Sequence, residues 1–315
     1  MGIKLLCTRN FGDKNIANIK KLGYDVKIVG ENGARYTENM KDTEVLLCYD
    51  PFKTLDISGM KNLKWIQLFS IGIDQLPMDV VKKNHILITN NKGGYSIPMG
   101  EWIVLKILEM LRHSRRFYEN QRNRLWKLDT GILELWGKTV GFIGTGSIAK
   151  EAAKRLVAFD VKIVGLNTKG EDVAYFNQCF SSEQIKDMLK LCDIVVITIP
   201  YTKKTCHMID GSAFRAMKNG VYIVNTARGS IMDESAFIEN VKNKKILGAA
   251  LDVVEEEPLD KDNPLWEFEN VIITPHNSWV SERADIRRFN MIYNNLKRYV
   301  SGDKLDNLVD VYRGY

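Results

Sequence analysis

The sequence predicts an α/β protein built from two doubly wound parallel sheets, and three observations support this prediction. Short apolar segments typical of strands alternate with amphipathic segments typical of helices through both halves of the chain, the pattern of parallel sheets with crossover helices. One strand, residues 140–143, runs directly into a glycine turn and a helix. The length of 315 residues fits two domains of ordinary size.

The first hundred residues contain five predicted strands and one well-marked helix. This helix is expected to begin at Asp13 and to end at Gly23, since an acidic residue suits a helix start and glycine suits its end. Pro98 then opens a long predicted helix over residues 99–119. The five strands are predicted at residues 3–8, 24–29, 45–48, 65–69 and 86–89.

The second series begins at Thr139 and contains six predicted strands, the number found in a doubly wound nucleotide-binding fold. A helix is predicted at 147–159, and a last one at 281–300 leads to a short tail expected to return to the first lobe. The six strands are predicted at residues 140–143, 161–166, 194–199, 221–225, 247–251 and 271–274.

Composition and charge exclude several classes of protein. Apolar residues make up 45% of the chain and charged residues 27%, values typical of a soluble globular protein. The net charge of +6 is spread along the chain, so nucleic-acid binding is not expected. The odd number of cysteines, five, without a C-x-x-C pair, predicts reduced thiols in a cytoplasmic protein. No membrane span and no metal site are expected.

The most informative segment is the run VGFIGTGSIA at residues 140–149. A strand, a Gly-x-Gly-x-x-Ala turn and a helix form the dinucleotide-binding fingerprint. Gly144 permits the tight turn, Gly146 lets the backbone approach a pyrophosphate, and small Ala149 lets the helix pack closely. The turn residues also expected to contact the cofactor are Thr145, Ser147 and Ile148.

The end of the next strand bears on the choice between NAD and NADP. An NAD site usually carries Asp or Glu about 20 residues past the first glycine. Here that position is Asn167, which does not repel a 2′-phosphate, and it is followed by Thr168 and Lys169, which could bind one. The segment therefore favours NADP, while a polar loop that accepts either cofactor is the alternative.

Three polar residues follow apolar strands in the second lobe: Arg228, Glu257 and His276. Ligands of open α/β sheets bind beyond the carboxyl ends of the strands, so these side chains are expected to meet in one crevice. Arginine offers paired donors to a 2-oxo acid, histidine supplies a proton near neutral pH, and a carboxylate fixes the imidazole tautomer. Taken singly, each residue could instead have a structural role.

Together these motifs resemble the family of D-isomer-specific 2-hydroxyacid dehydrogenases, which includes D-lactate, glycerate/hydroxypyruvate, glyoxylate and phosphoglycerate dehydrogenases. The resemblance extends over nearly the whole chain. The segments that carry it are residues 70–74, 144–149, 200–205, 217–220, 225–229, 251–258 and 274–276.

The resemblance implies a role for each matching residue. The family's catalytic Arg, Glu and His fall on Arg228, Glu257 and His276. Asp252 falls on a residue that holds the nicotinamide amide, and Trp279 is expected to limit substrate size. The substrate-carboxylate loop, acting through backbone N–H groups, falls on Ser70, Ile71 and Gly72. Further cofactor contacts are implied for Pro200, Thr205, Thr226, Ala227, Arg228 and His276, and Arg228 and His276 are also expected to touch the substrate.

The resemblance also implies an architecture. A Rossmann nucleotide-binding domain over residues 97–282 would be inserted in a flavodoxin-like substrate domain formed by residues 1–96 and 283–315. A homodimer is expected through the nucleotide domain, with residues 125–136 at the interface. Trp126 would then be either an interface residue or a residue that reaches the neighbouring subunit's site.

The expected activity is NAD(P)H-dependent reduction of a small 2-oxo acid, glyoxylate or hydroxypyruvate, to the D-2-hydroxy acid, and the reverse oxidation. The alternatives are a phosphoglycerate or phosphite dehydrogenase, and a nucleotide-sensing interaction protein similar to the co-repressors of this fold. Glu257 disfavours a formate dehydrogenase, which carries an amide there. His207 is expected to be a polar residue near the cofactor loop, and Glu255 and Glu256 to be solvated charges.

Overall fold

The computed structural model describes residues 2–314, which form two compact units. One unit comprises residues 2–95 and 281–314, and the other is Ser96–Val280. The chain therefore leaves the first unit once and returns to it for its last helix and tail. Within residues 2–314, every helix is too short or too polar to cross a lipid bilayer.

The first unit contains a five-stranded parallel sheet, as predicted. Its strands are β1 (Ile3–Cys7), β2 (Tyr24–Ile28), β3 (Val45–Cys48), β4 (Trp65–Leu68) and β5 (Leu87–Thr89). Its helices are α1 (Asp13–Lys21), α2 (Met78–Lys83) and α9 (Ala284–Ser301). The strand order is β2-β1-β3-β4-β5, a flavodoxin-like arrangement. Alternate strand residues enter two separate apolar cores, one on each face of the sheet.

The C-terminal tail returns to the first unit, as expected. Leu308 forms an antiparallel bridge with Thr89 at the end of β5. The backbone N–H of Val309 donates to the carbonyl of Ile88 at 2.9 Å. The tail thus continues the hydrogen bonding of β5, which would otherwise be an open sheet edge.

The second unit contains a seven-stranded parallel sheet. Its strands are β6 (Thr139–Ile143), β7 (Lys162–Asn167), β8 (Gln178–Ser181), β9 (Ile194–Ile197), β10 (Val221–Asn225), β11 (Ile246–Leu251) and β12 (Val271–Ile273). Its helices are α3 (Ser96–Leu111), α4 (Ser114–Arg122), α5 (Ser147–Leu156), α6 (Ile185–Leu189), α7 (Gly211–Ala216) and α8 (Glu234–Lys242). The order β12-β11-β10-β9-β6-β7-β8 reverses direction between β9 and β6. A ligand crevice is expected beyond the strand ends at this point.

Two sequence-based expectations about these elements were wrong. The sheet has a seventh strand, β8, which the sequence pattern did not show because Phe180 is its one buried residue. The long helix predicted at residues 99–119 is two helices, α3 and α4, separated at His113, whose φ of 51° is left-handed. The helix predicted at 147–159 is confirmed, with α5 over Ser147–Leu156 followed by one 3₁₀ turn over Val157–Phe159.

Packing between α3 and α5 positions the glycine turn. A Cβ atom on Gly100 of α3 would lie 3.0 Å from the backbone nitrogen of Ala152 in α5. Ala149 and Ala152 are fully buried on this face. Small residues on both helices therefore allow a close approach, and this approach holds the first turn of α5 at the end of β6.

Candidate active site

The turn between β6 and α5 has the geometry of a phosphate cradle. Gly144 has a φ of 96°, and a Cβ atom there would lie 2.6 Å from Cγ2 of Ile199, so glycine is required. Gly146 is the N-cap of α5 and has no side chain to cap the helix. A Cβ on Gly146 would meet no atom within 4 Å, so the helix N-terminus faces open space. These residues fit a dinucleotide pyrophosphate.

Asn167, expected near the adenosine ribose, shapes its own loop. Its amide nitrogen donates to the Glu171 carbonyl at 2.7 Å, and its oxygen accepts the N–H groups of Lys169 and Glu171 at 3.3 and 3.0 Å. The ammonium group of Lys169 lies 3.3 Å from a Glu171 carboxylate oxygen, and both side chains are exposed. Glu171 was not anticipated, and its charge opposes binding of a 2′-phosphate by Lys169.

The loop after β9 contains two of the expected cofactor positions. The Thr205 hydroxyl donates to the Pro200 carbonyl at 2.9 Å, which closes the loop. His207 lies at the end of this loop, and its Nε2 atom is 2.7 Å from a carboxylate oxygen of Glu255. Glu255 is exposed, as expected of a solvated charge, and it also links the loop after β9 to the loop after β11.

Asn225 organises the segment that carries Arg228. Its buried side chain accepts the N–H of Ala227 at 3.0 Å and donates to the Arg228 carbonyl at 3.1 Å. The Thr226 N–H donates to the Ile197 carbonyl at 3.3 Å. Asn225 was not among the predicted site residues, although a polar residue at the end of an otherwise apolar strand was a signal for it.

Gly229 brings the Arg228 segment against the loop after β11. A Cβ atom on Gly229 would lie 1.9 Å from the carbonyl carbon of Val254 and 2.0 Å from its oxygen. No other residue type fits such a backbone contact. The contact sets the position of Arg228 relative to the loop that contains Glu257.

Glu257 and His276 form a hydrogen-bonded pair. His276 Nδ1 lies 2.8 Å from Glu257 Oε2, and the N–H of Val254 donates to Glu257 Oε1 at 3.3 Å. Burial raises the pKa of Glu257, but the His276 contact, the Val254 N–H and the charge of Arg228 outweigh it, so the pKa is lowered. Glu257 is therefore ionised at neutral pH. Its stabilising effect on the fold is present at neutral pH and is lost as the pH falls through this lowered pKa.

Asp252 holds the loop that carries His276. The carboxylate is buried and accepts the Thr274 hydroxyl at 2.6 Å and the N–H groups of Asn277 and Ser278, each at 3.0 Å. His276 has a left-handed backbone, with a φ of 51°. The Trp279 indole N–H donates to the carbonyl of His276 at 2.9 Å. The nicotinamide contact expected for Asp252 stays a prediction, as does the pocket-lining role of Trp279.

The expected carboxylate loop follows β4 at the carboxyl edge of the first unit's sheet. The Ser70 hydroxyl donates to the Gly72 carbonyl and accepts from the Gln75 amide, both at 2.9 Å. The Asn90 side chain donates to the Ile71 carbonyl at 2.9 Å. Gln75 and Asn90 were not predicted from the sequence, because their role depends on contacts between separate loops.

The second unit thus brings Arg228, Glu257 and His276 to the carboxyl ends of three adjacent strands, β10, β11 and β12. The His276–Glu257 hydrogen bond and the Gly229–Val254 contact connect the three loops. With a phosphate cradle at the switch point of the same sheet, these features define the class of dinucleotide-dependent oxidoreductases.

The chain belongs to the family of D-isomer-specific 2-hydroxyacid dehydrogenases. The family model described as "D-isomer specific 2-hydroxyacid dehydrogenase, NAD binding domain" matches residues 104–278. The protein is accordingly an NAD(P)-dependent enzyme of this family, as its sequence motifs predicted.

Comparison with known proteins supports this assignment over the whole chain. A glyoxylate reductase from Thermofilum pendens is 34% identical over 281 residues, 86% of this chain and 83% of that protein. A D-3-phosphoglycerate dehydrogenase from Methanocaldococcus jannaschii is 32% identical over 98% of this chain, which spans 60% of that protein. A probable 2-hydroxyacid dehydrogenase from Rhizobium etli CFN 42, solved with NADP, HEPES and L(+)-tartaric acid, is 26% identical, with a TM-score of 0.84 and full coverage of both chains.

Proposed function

We propose that this enzyme reduces glyoxylate or hydroxypyruvate to the D-2-hydroxy acid and catalyses the reverse oxidation. The observation that carries the proposal is the His276–Glu257 pair, 2.8 Å apart, beside the Arg228 segment at the strand ends of a dinucleotide-binding sheet. The glyoxylate reductase of Thermofilum pendens supports the choice of substrate, since it matches most of both chains. The five free cysteines support a reducing, cytoplasmic setting, which cell fractionation tests.

His276 is assigned the proton transfer. Because Nδ1 contacts Glu257, the other ring nitrogen, Nε2, is the one that can give a proton to the substrate oxygen. Ionised Glu257 holds this tautomer and stabilises the charged imidazole. In the oxidative direction the same nitrogen accepts the proton of the hydroxy acid.

Arg228 and the loop of residues 70–72 are assigned to the anionic substrate. The guanidinium group of Arg228 can donate two parallel hydrogen bonds to the oxygens of a 2-oxo acid. The backbone N–H groups of the loop are assigned to its carboxylate. A bound NADPH or NADH supplies the hydride, and the Gly144–Gly146 turn is assigned to its pyrophosphate.

The direct test is nicotinamide absorbance with purified protein. NADPH and NADH are each offered with glyoxylate, hydroxypyruvate, pyruvate, 2-oxoisocaproate and phenylpyruvate. Turnover of glyoxylate or hydroxypyruvate in preference to the larger acids is expected. Absence of turnover with every acid, together with tight nucleotide binding, would overturn the proposal in favour of a nucleotide-sensing protein.

A second candidate is phosphoglycerate dehydrogenase activity. The relative from Methanocaldococcus jannaschii matches 98% of this chain, so the substrate panel includes oxidation of 3-phosphoglycerate by NAD and NADP. Phosphite oxidation is assayed in parallel. Faster oxidation of either compound than reduction of glyoxylate would replace the first proposal.

We also propose a preference for NADP, which Lys169 tests. Replacing Lys169 with alanine removes the cation nearest the expected 2′-phosphate, and the KM for NADPH should rise about fivefold, the effect of one exposed ion contact. The KM for NADH should stay the same. Lys190→Ala, which removes another exposed lysine paired with a carboxylate, is the matched control. An equal change for both cofactors would contradict the preference.

We propose a homodimer through the second unit. Trp126 and Leu128 are almost fully exposed. The next residue, Asp129, ties this loop to α4 and to the residue before that helix, because its carboxylate contacts both Arg116 and His113 at 3.0 Å. Light scattering should give twice the chain mass for the natural protein and one chain mass for Leu128→Asp. Ile286→Asp, at an exposed apolar residue of α9, is the control and should stay dimeric. A monomeric natural protein would refute this assembly.

A further inference from the structure

The loop after β4 is held through its carbonyl groups. Four consecutive carbonyls, those of residues 69–72, each accept a hydrogen bond within the first unit. The donors are, in order, the Tyr95 hydroxyl, the Asn91 backbone N–H at 2.8 Å, the Asn90 side-chain amide at 2.9 Å and the Ser70 hydroxyl at 2.9 Å. Three of the four donors belong to the segment that follows β5.

This arrangement determines where the N–H groups of the loop point. In a planar trans peptide the carbonyl oxygen and the N–H of the next residue point in opposite directions. Because the carbonyls of residues 69–71 each accept a hydrogen bond from the segment that follows β5, the N–H groups of residues 70–72 point away from those donors. Among residues 2–314, the N–H groups of Ser70, Ile71 and Gly72 donate to no protein acceptor. Adjacent backbone N–H groups of this kind can bind an anion.

We propose that Tyr95 and Asn90 are positioning residues, which aim these N–H groups at the carboxylate of the 2-oxo acid. The inference rests on the function proposed above and deepens it. Tyr95 acts through the Phe69 carbonyl on the N–H of Ser70, and Asn90 acts through the Ile71 carbonyl on the N–H of Gly72. Neither side chain has to touch the substrate.

The surroundings of Tyr95 keep its hydroxyl protonated and in place as a hydrogen-bond donor. Its side chain is buried, and burial raises the pKa of its hydroxyl, so the phenol stays protonated and donates at neutral pH. The guanidinium carbon of buried Arg288 lies 5.0 Å from the centre of the Tyr95 ring. Arg288 in turn contacts Asp285 at 3.2 Å, one turn earlier in α9. The Tyr95 hydroxyl is thus fixed by the Phe69 carbonyl, and its ring is fixed by Arg288.

Tyr95→Phe tests the proposal, because it removes one hydroxyl and keeps the ring. The KM for glyoxylate should rise about tenfold, the effect of one hydrogen bond. The kcat and the affinity for NADPH, measured by fluorescence titration, should not change. Asn90→Ala should show the same rise in KM, and it provides a second test in case Tyr95→Phe folds poorly.

Tyr24→Phe is the matched control. Tyr24 is also buried in the first unit, and its hydroxyl donates to the Leu296 carbonyl at 2.9 Å, away from the loop. Both tyrosine variants should lose similar thermal stability, but Tyr24→Phe should keep the natural KM. Equal KM values for the natural protein and Tyr95→Phe, or equal increases in both tyrosine variants, would overturn the positioning role. A natural protein inactive on every acid would instead refute the proposed function.

Discussion

Replacing His276 with asparagine should lower kcat by about 10²- to 10⁴-fold, the usual contribution of a general acid–base group. The amide cannot transfer a proton at neutral pH, so hydride transfer would leave an unprotonated alkoxide. Asparagine is chosen because the backbone at His276 is left-handed, with a φ of 51°, and asparagine tolerates this conformation. The affinity for NADPH should change far less than kcat, since the phosphate cradle lies in another loop and His276 is only one of several expected cofactor contacts.

The control for this experiment is His85→Asn. His85 is an exposed histidine of the first unit with a φ of 52°, so the same substitution is made in the same backbone conformation. Steady-state rates with glyoxylate and fluorescence titration with NADPH are measured for both variants. Turnover of His276→Asn at the natural rate would remove His276 from the mechanism, and loss in both variants would indicate a general effect of the substitution.

Replacing Gly229 with alanine should disrupt the site through the backbone contact between the Arg228 segment and the loop after β11. The new methyl group would lie 1.9 Å from the Val254 carbonyl carbon, so one of the two loops has to move. Forcing atoms into a packed site costs about 1–3 kcal/mol or more of unfolding free energy. A shift of about 1 Å between Arg228 and Glu257 should lower kcat/KM about 100-fold.

Gly211→Ala separates this effect from the general effect of adding a methyl group. Gly211 begins α7 in the same unit, and its nearest neighbour to a new Cβ would be an Arg215 side-chain nitrogen at 3.5 Å, an ordinary contact. Urea unfolding and turnover are measured for both glycine variants. Gly211→Ala should match the natural protein. Natural stability and turnover in Gly229→Ala would show that the close contact is absent in solution.

Much of the fold was predictable because local chemistry specifies it. The strands of the first sheet are short apolar runs bounded by turn residues, and the glycine turn at Gly144 has a pattern that few other structures require. The break at His113 and the strand β8 were missed because no local sequence signal marks them. The sequence on both sides of His113 is compatible with one continuous helix, and β8 is ordered by pairing with β7 rather than by its own hydrophobicity.

In the candidate site, too, residues marked by a local motif were predicted and residues that act through contacts between loops were not. Chain order and residue type were sufficient to select Arg228, Glu257 and His276 as candidate site residues, since each follows an apolar strand within a recognisable motif. The residues that hold them, Asn225 and Asp252, act through contacts across separate loops. Such contacts have no local pattern, because they form between residues distant in sequence once the strands are ordered in the sheet.

At the expected cofactor loop, too, the contacts of the polar side chains were not predictable from the sequence. The sequence predicted that Asn167 does not repel a 2′-phosphate and that Lys169 can bind one, because their charges can be read directly. Folding directs the Asn167 amide to the backbone of Glu171 and places the Glu171 carboxylate beside Lys169. Charge and residue type are properties of the sequence, whereas the partner that a polar side chain meets is a property of the folded chain.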